Sequence, residues 1–365
     1  RGKHRYIAMV PQWDLLALLA DSARSEPTFT LRHQAEVTDL LRDGGRVVGV
    51  RFTDRADGST HELRAGLVVA CDGRGSTVRA AAGLVPRPSE TPMDVWWFRL
   101  PRHPTDPIGG VERVSAGRFL VMIDRGDHWQ CGYLILKGAD AGLRAAGIEA
   151  FRRRLADLVP WLADRVGELR SLDDVKLLDV RVERLRRWYT DGLLLIGDAA
   201  HAMSPVGGVG INLAVADAVA TARILAPALR RTGRVPVSAL RRVQRRRSWP
   251  AALVQSGQRL LHRRLLAVLT ATPAPHPATP GPAASAKPAD PGPGRGGDSS
   301  HPADPGAEAP TASLPFAMRL VRRFPALQVV PAWVTAIGPL PEHAPTWARR
   351  PPTPVPTPTE GRSTR

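Results

Sequence analysis

Cysteine is nearly absent from this sequence: Cys71 and Cys131 are the only two among 365 residues, with no CxxC and no Cys/His pair at metal-ligand spacing. A disulfide framework and a zinc site therefore have no basis, and a reducing, cytoplasmic compartment is expected. No apolar run approaches the roughly 20 residues that a membrane-spanning helix needs. No signal peptide is visible either, although the chain opens on Arg1 rather than Met. Acid is missing from one long stretch. None occurs between Asp217 and Asp290, where arginines gather at Arg230-Arg231, Arg241-Arg242, Arg245-Arg246-Arg247 and Arg263-Arg264. Such a face can meet phosphates, and it explains much of the formal charge of +17. A solvated helix surface in an Ala/Arg/Pro-heavy sequence carries the same charge, so nucleic acid is not the expected partner. No nucleophile or acid/base pair stands out.

What is present suffices for a sizeable core, since 43% of residues are hydrophobic. Gln12 to Ala23 reads as a short amphipathic helix, with Leu15, Leu16 and Leu19 on one side and Pro11 suited to its first turn. Glu36–Leu41 and Arg46–Phe52 flank Asp43-Gly44-Gly45, a hairpin pattern, and Asp57-Gly58 turns the chain again before His61–Arg64. Leu67–Cys71 is an apolar run of the kind buried in a sheet. From Asp94 to Lys137 the texture changes: VWWFRLPR, GRFLVMID and HWQCGYLIL predict an antiparallel sheet in a second domain. Gly147–Val166 is helical in pattern, with Phe151, Leu155, Leu158 and Leu162 in register. Leu177–Leu185 reads as a strand, Leu193–Ile196 as another, and Ile211–Leu229 as an Ala-rich buried helix. Residues 272–313, dominated by Pro, Ala, Gly and Ser, are expected to be a disordered linker, as is the tail 351–365.

Two glycine-aspartate units carry the chemistry. In LVVACDGRGSTVR (Leu67–Arg79) a strand delivers Asp72-Gly73 at its end, Ser76 stands as an N-cap and Gly83 as a helix stop. Glycines there let backbone approach a pyrophosphate and Arg79 adds charge, although a plain capped strand-turn-helix reads the same way. In LLLIGDAAHAMSPVGGVGIN (Leu193–Asn212) a strand ends on Gly197-Asp198. A carboxylate at that point can accept hydrogen bonds from ribitol or ribose hydroxyls. Pro205 stiffens the loop, and Gly207, Gly208 and Gly210 clear space for a flat ring. The helix starting at Gly210 or Ile211 aims free N–H groups and its positive dipole end at that ring. The loop cannot be written as GxGxxG.

GDAAHAMSPVGGVGIN resembles the second flavin-contacting motif of the FAD-dependent aromatic hydroxylases (para-hydroxybenzoate hydroxylase-like monooxygenases), and VVACDGRGSTVR resembles their Asp-Gly motif. The order of the motifs and the β-rich region between them match that family. VPQWDLLALLADSA resembles the helix before them, with Gln12 at a position that often approaches the flavin, and RFPALQVVPAWVTAIGPLPEH resembles the family's C-terminal helical ending. The resemblance covers most of residues 5–270 and 314–347.

It implies an α/β fold: a Rossmann-like FAD-binding domain of the glutathione-reductase type, plus an antiparallel substrate sheet and a C-terminal helical segment. The expected divisions are 1–90 and 183–271 for the FAD domain, 91–182 for the substrate sheet, and 314–350 for the helical ending. The family's opening βαβ unit with its GxGxxG loop is not found at the start of this chain, so the FAD domain is expected to be N-terminally truncated. By resemblance, NAD(P)H reduces FAD, O2 forms a C4a-hydroperoxide, and a small, aromatic substrate is hydroxylated. Asp198, with Gly197, would meet the flavin sugar, while Pro205, Gly207, Gly208, Gly210, Ile211 and Asn212 line the ring. Asp72, Gly73 and Arg79 would serve pyrophosphate or nicotinamide. His201 is either a proton relay or a histidine satisfied by loop carbonyls. Trp96, Phe98, Met122 and Tyr133 are nominated for substrate contact against plain core packing, and Trp97 and Trp129 stay undecided. Three alternatives remain open: a non-catalytic remnant that does not retain FAD, a related flavin-dependent reductase or halogenase, and an arginine-rich anion binder.

Overall fold

The computed structural model describes residues 10–271 and 338–348. The stretch 272–313, most of the expected ending 314–350 and the tail 351–365 lie outside the described residues. Helix α1 (Gln12–Arg24) begins directly after Pro11, whose fixed φ of −56° leads into the first turn. Its apolar stripe is open: none of its residues is buried, and Trp13 and Leu19 are well exposed. Strands β1 (Ala35–Asp43) and β2 (Arg46–Asp54) form the expected hairpin, and β3 (Thr60–Arg64) adds to β2 after the Asp57-Gly58 turn. Strand β4 (Val68–Ala70) is shorter than the apolar run suggests. Only Ala70 of it is buried, because β4 lies at the edge of its sheet. Helix α2 (Thr77–Ala81) and strand β5 (Arg87–Ser89) come next.

The expected antiparallel sheet is present. This part of the chain comprises β6 (Met93–Pro101), β7 (Gly110–Ser115), β8 (Arg118–Asp124), β9 (His128–Leu136), helices α3 (Asp140–Ala145) and α4 (Gly147–Leu158), and β10 (Lys176–Leu178). The strand order is β10-β6-β9-β8-β7. Helix α4 covers one face with Phe151, Leu155 and Leu158. It stops at Leu158, short of the expected Val166, because Pro160 pushes Val159 out of the helical region to φ −136° and ψ 81°. The single strand expected over Leu177–Leu185 is two: β10 joins the large sheet, whereas β11 (Val182–Arg184) pairs with β5 in a ribbon between the domains.

The chain then returns to the first domain through β12 (Tyr189–Thr190) and β13 (Leu193–Leu195), which pairs parallel with β4. Helices α5 (Asp198–His201), α6 (Gly210–Thr232) and α7 (Val237–Leu269) complete it. Helix α6 is not buried all round, contrary to expectation. One stripe is buried through Leu213, Asp217, Ala220, Thr221 and Leu225, while Ile211 and Val215 are exposed. By length and composition α6 could cross a membrane, yet it packs on α7 and carries a buried aspartate.

Candidate functional site

The parallel pairing of β4 with β13 sets Ala70 beside Leu195, so both glycine-aspartate turns leave the same edge of the sheet. This carboxyl edge is where open α/β sheets bind ligands. The three leucines of β13 are completely buried and fix the position of the turn beyond them.

The first turn is spent largely on its own helix. The Asp72 carboxylate accepts from Ser76 Oγ at 2.6 Å and Val78 N at 3.0 Å, and Ser76 Oγ accepts from Arg79 N at 2.9 Å. The expected cap at Ser76 is therefore present. Arg79 does not offer its guanidinium to a phosphate. Buried, it donates to Ala199 O and Arg74 O and pairs with Glu183 at 2.9 Å, which ties α2 to α5 and β11. Among this turn's residues, Gly73 keeps open space where a side chain would stand.

The second turn is different. Gly197 has φ +57°, and a Cβ there would come within 3.2 Å of Ala214 Cβ on α6, so only glycine serves. Asp198 comes next, at the first position of α5, and is half-buried. Its carboxylate has no hydrogen-bond partner among the described residues. Burial pushes its pKa above the ordinary carboxylate value; His201 and Arg74 pull it back, and Glu183 raises it further. Pro205 and Gly208 close a turn, with Gly208 N donating to Pro205 O at 3.0 Å. Gly207 and Gly208 are exposed, and at Gly208 and Gly210 a Cβ would meet nothing within 4 Å. Ile211 and Asn212 are exposed on the first turn of α6, whose N-terminus has no side-chain cap.

Side chains that the motif does not announce hold this loop. On α7, Gln258 accepts from Ser204 N and donates to Ser204 O and Val206 O, both at 2.9 Å, and His262 Nε2 lies 2.9 Å from Ser204 Oγ. Gln255 donates to Ala202 O and Glu183 O. A sequence signal for them exists: Gln255, Gln258 and His262 share a face of a helix otherwise rich in Arg and Leu. His201 turns one ring nitrogen to a carboxylate rather than to loop carbonyls, while its buried Nδ1 has no hydrogen-bond partner among the described residues. Its Nε2 lies 2.6 Å from Asp217 Oδ2, which also accepts from Gly197 N at 3.1 Å, and Trp188 stands against its ring at 4.8 Å. Asp217 Oδ1 accepts from Arg247 Nε at 2.9 Å.

The nominated substrate residues lie in a packed core. Trp96, Phe98, Met122 and Tyr133 are all buried in the cluster that packs on α4. Phe151 meets the rings of Trp96, Phe98 and Tyr133 edge-on, and Trp96 Nε1 donates to Asp140 at 2.7 Å. Trp129 is core too, donating to Asp106 at 2.8 Å. Side chains alternate along a strand, so the other face carries Met93, Val95, Trp97, Phe119 and Leu134, and Val206 of the glycine loop packs there. Trp97 is half-buried and lies over Gly132, where a Cβ would come 3.2 Å from its ring. Gln12, at the exposed start of α1, is not brought into this assembly by any described contact.

An unpartnered acceptor at a strand end, glycines with open space and an uncapped helix start fit the sugar and ring portions of a flavin. This combination defines an α/β flavin-binding domain joined to an antiparallel sheet. Residues 1–255 match the FAD binding domain family, and the chain belongs to it. It is 38% identical over 232 residues to a 6-methylpretetramide 4-monooxygenase of Streptomyces rimosus, covering 63% of this chain and 55% of that one. The anhydrotetracycline hydroxylase OxyS of Streptomyces rimosus superposes with a TM-score of 0.55 at 25% identity, over 74% of this chain and 51% of that one. The fold is also that of PqsL of Pseudomonas aeruginosa, with a TM-score of 0.58, 24% identity and 69% of each chain covered. The chain spans about half the length of the curated relatives it matches.

Proposed function

We propose that this chain is the flavin- and substrate-facing part of an FAD-dependent monooxygenase that hydroxylates a small, aromatic substrate, with NAD(P)H as reductant. One observation carries the reading: Asp198 is a half-buried carboxylate without a protein partner among the described residues, set beside an open glycine loop at the carboxyl edge of parallel strands. The relative at 38% identity is a monooxygenase, which favours oxygen transfer over the reductase and halogenase alternatives. When bound, FAD supplies the redox chemistry, taking reducing equivalents from NAD(P)H and activating O2. The protein's share is position and exclusion of water. Asp198 accepts hydroxyl hydrogen bonds from the flavin's sugar chain. The glycine loop seats the ring, and the positive end of the α6 dipole favours negative charge at its edge. Trp97 and its neighbours on β6 and β8 close the opposite side.

Titration of the purified chain with FAD, followed by quenching of flavin fluorescence, tests this. Saturable binding at one site per chain is expected, and Asp198→Asn should weaken it about tenfold, the worth of one charge-assisted hydrogen bond. Absence of binding by the wild-type chain would favour the remnant alternative. The same substitution should stabilise the cofactor-free protein at neutral pH. Burial raises the folded-state pKa of Asp198 above its unfolded value, so protonation favours the folded state. Its stability is greatest below the unfolded value and is lost as pH rises through the folded one. Asparagine avoids that loss, and thermal melts at pH 7 and pH 4 should differ less than in wild type.

Trp97→Ala tests the substrate face. Binding of 1-naphthol, used as a planar phenolic probe, should weaken by about tenfold, as expected for loss of one aromatic contact. Unchanged binding would move the substrate away from this face of the sheet.

A further inference from the structure

Glu342 lies outside both glycine-aspartate motifs and far from them in sequence, yet its carboxylate is fully buried against the flavin domain. Three arginines converge on it: Arg223 of α6 at 2.7 Å, and Arg246 and Arg247 of α7, the last at 3.5 Å. Arg247 also donates to Leu340 O at 3.0 Å, so the 338–348 segment holds this guanidinium from two points. On its other side Arg247 Nε donates to Asp217, and that aspartate receives His201 Nε2 and Gly197 N. Arg247, Asp217 and His201 are each at most 2% exposed. A continuous buried path therefore runs from Glu342 through Arg247 and Asp217 to the peptide that opens α5.

We infer that Glu342 is a positioning residue for the cofactor loop. It acts through Arg247 and Asp217 to fix the His201 ring and the Gly197 peptide, and so the place where Asp198 stands. The physical requirement is plain. With Asp217 as its sole counter-charge, the Arg247 guanidinium would draw that carboxylate away from Gly197 and His201. Glu342 supplies a second counter-charge from the opposite side, which leaves one Asp217 oxygen for Arg247 and the other for the loop. The Gly197 carbonyl, in the next peptide group, then accepts from Ala200 N and His201 N at 2.9 Å each, so the placement of Gly197 is passed to the first turn of α5.

The inference rests on the proposed cofactor role of Asp198 only in its last step, and the test separates the two. Amide hydrogen exchange is measured on the cofactor-free chain for wild type and Glu342→Gln, which keeps the shape and removes the charge. Exchange at Gly197–Ala202 should quicken by about tenfold, the loss of one local hydrogen bond's worth. The nitrogen chemical shifts of the His201 ring should move, and Glu342→Asp should partly restore both. A tether without a positioning role gives faster exchange at 338–348 alone and leaves the His201 ring unmoved; that result would overturn the inference. In a parallel FAD titration, Glu342→Gln should weaken binding by about the factor seen in exchange. Wild-type protein that exchanges as described but binds no FAD would sink the function and leave the positioning intact. Should Glu342→Gln lose its near-ultraviolet dichroism, Arg223→Ala gives the graded form, since that arginine is 34% exposed and its loss strands no fully buried charge. A smaller rise in exchange at both segments supports the path, and a rise at 338–348 alone refutes it.

Discussion

Asp217→Asn should destabilise the protein by about 3–5 kcal/mol in urea melts at pH 7, the range seen when one partner of a buried charge network is removed. Asp217 is completely buried and its two oxygens hold three donors: Gly197 N, His201 Nε2 and Arg247 Nε. The amide keeps the shape but turns an NH2 group toward one of those donors, so at least one buried polar group loses its partner. Arg247, 1% exposed, cannot turn its guanidinium to water. Glu342 alone would then have to compensate it from 3.5 Å. A control is at hand in Arg55 and Glu36, paired at 2.8 Å but exposed on the β1–β3 sheet; Glu36→Gln should leave the melt unchanged. A loss for Asp217→Asn as small as that of a surface pair would show that water reaches the cluster.

Asp217 also shows what the sequence could reveal. It is a lone acid in an Ala-rich helix and the last before a long basic stretch, so its oddity was visible. Its partners were not: Gly197 and His201 precede it by 20 and 16 residues, and Arg247 lies 30 residues beyond it. Local chemistry was legible wherever one short stretch decided the outcome. The Ser76 cap, the Asp43-Gly44-Gly45 turn and the Gly197-Asp198 strand end all stand where their residue types imply. Direction across the chain was harder to read. Arg79 has the right charge beside the right turn, but Glu183, Ala199 and Arg74 draw it inward. The large sheet failed the alternation argument for a physical reason. Trp96 and Trp97 are both aromatic because both faces of β6 are covered, one by α4 and the other by α7 and the glycine loop. With two apolar faces, period two no longer tells which face meets the ligand. Helix α1 met the amphipathic pattern fully, and yet its stripe is uncovered among the described residues.

Gly192→Ala should lower stability by about 3 kcal/mol or more, combining a side chain forced into the left-handed region with a backbone collision. Gly192 has φ +78°, and a Cβ there would overlap the Val47 carbonyl of β2. The turn cannot shift to make room, because neighbouring elements hold it on both sides. Val47 N donates to Asp191 O and Val68 N donates to Gly192 O, each at 2.9 Å, while Arg46 pairs with the Asp191 side chain. These contacts join the β1–β3 sheet to the parallel pair β4–β13. The strain therefore falls on the register that aligns Ala70 with Leu195. Displacement of β13 along β4 would carry Asp198 away from the end of β4, so FAD binding should weaken together with stability. Gly58→Ala is the matched control. Its φ of +75° is nearly the same, but a Cβ there meets nothing within 4 Å, so only the conformational cost remains, about 1–2 kcal/mol. Thermal melts of the two variants, compared with their FAD titrations, separate backbone strain from collision. Equal losses would mean that the β12–β13 turn yields, and that the two glycine-aspartate turns are held together by something other than this contact.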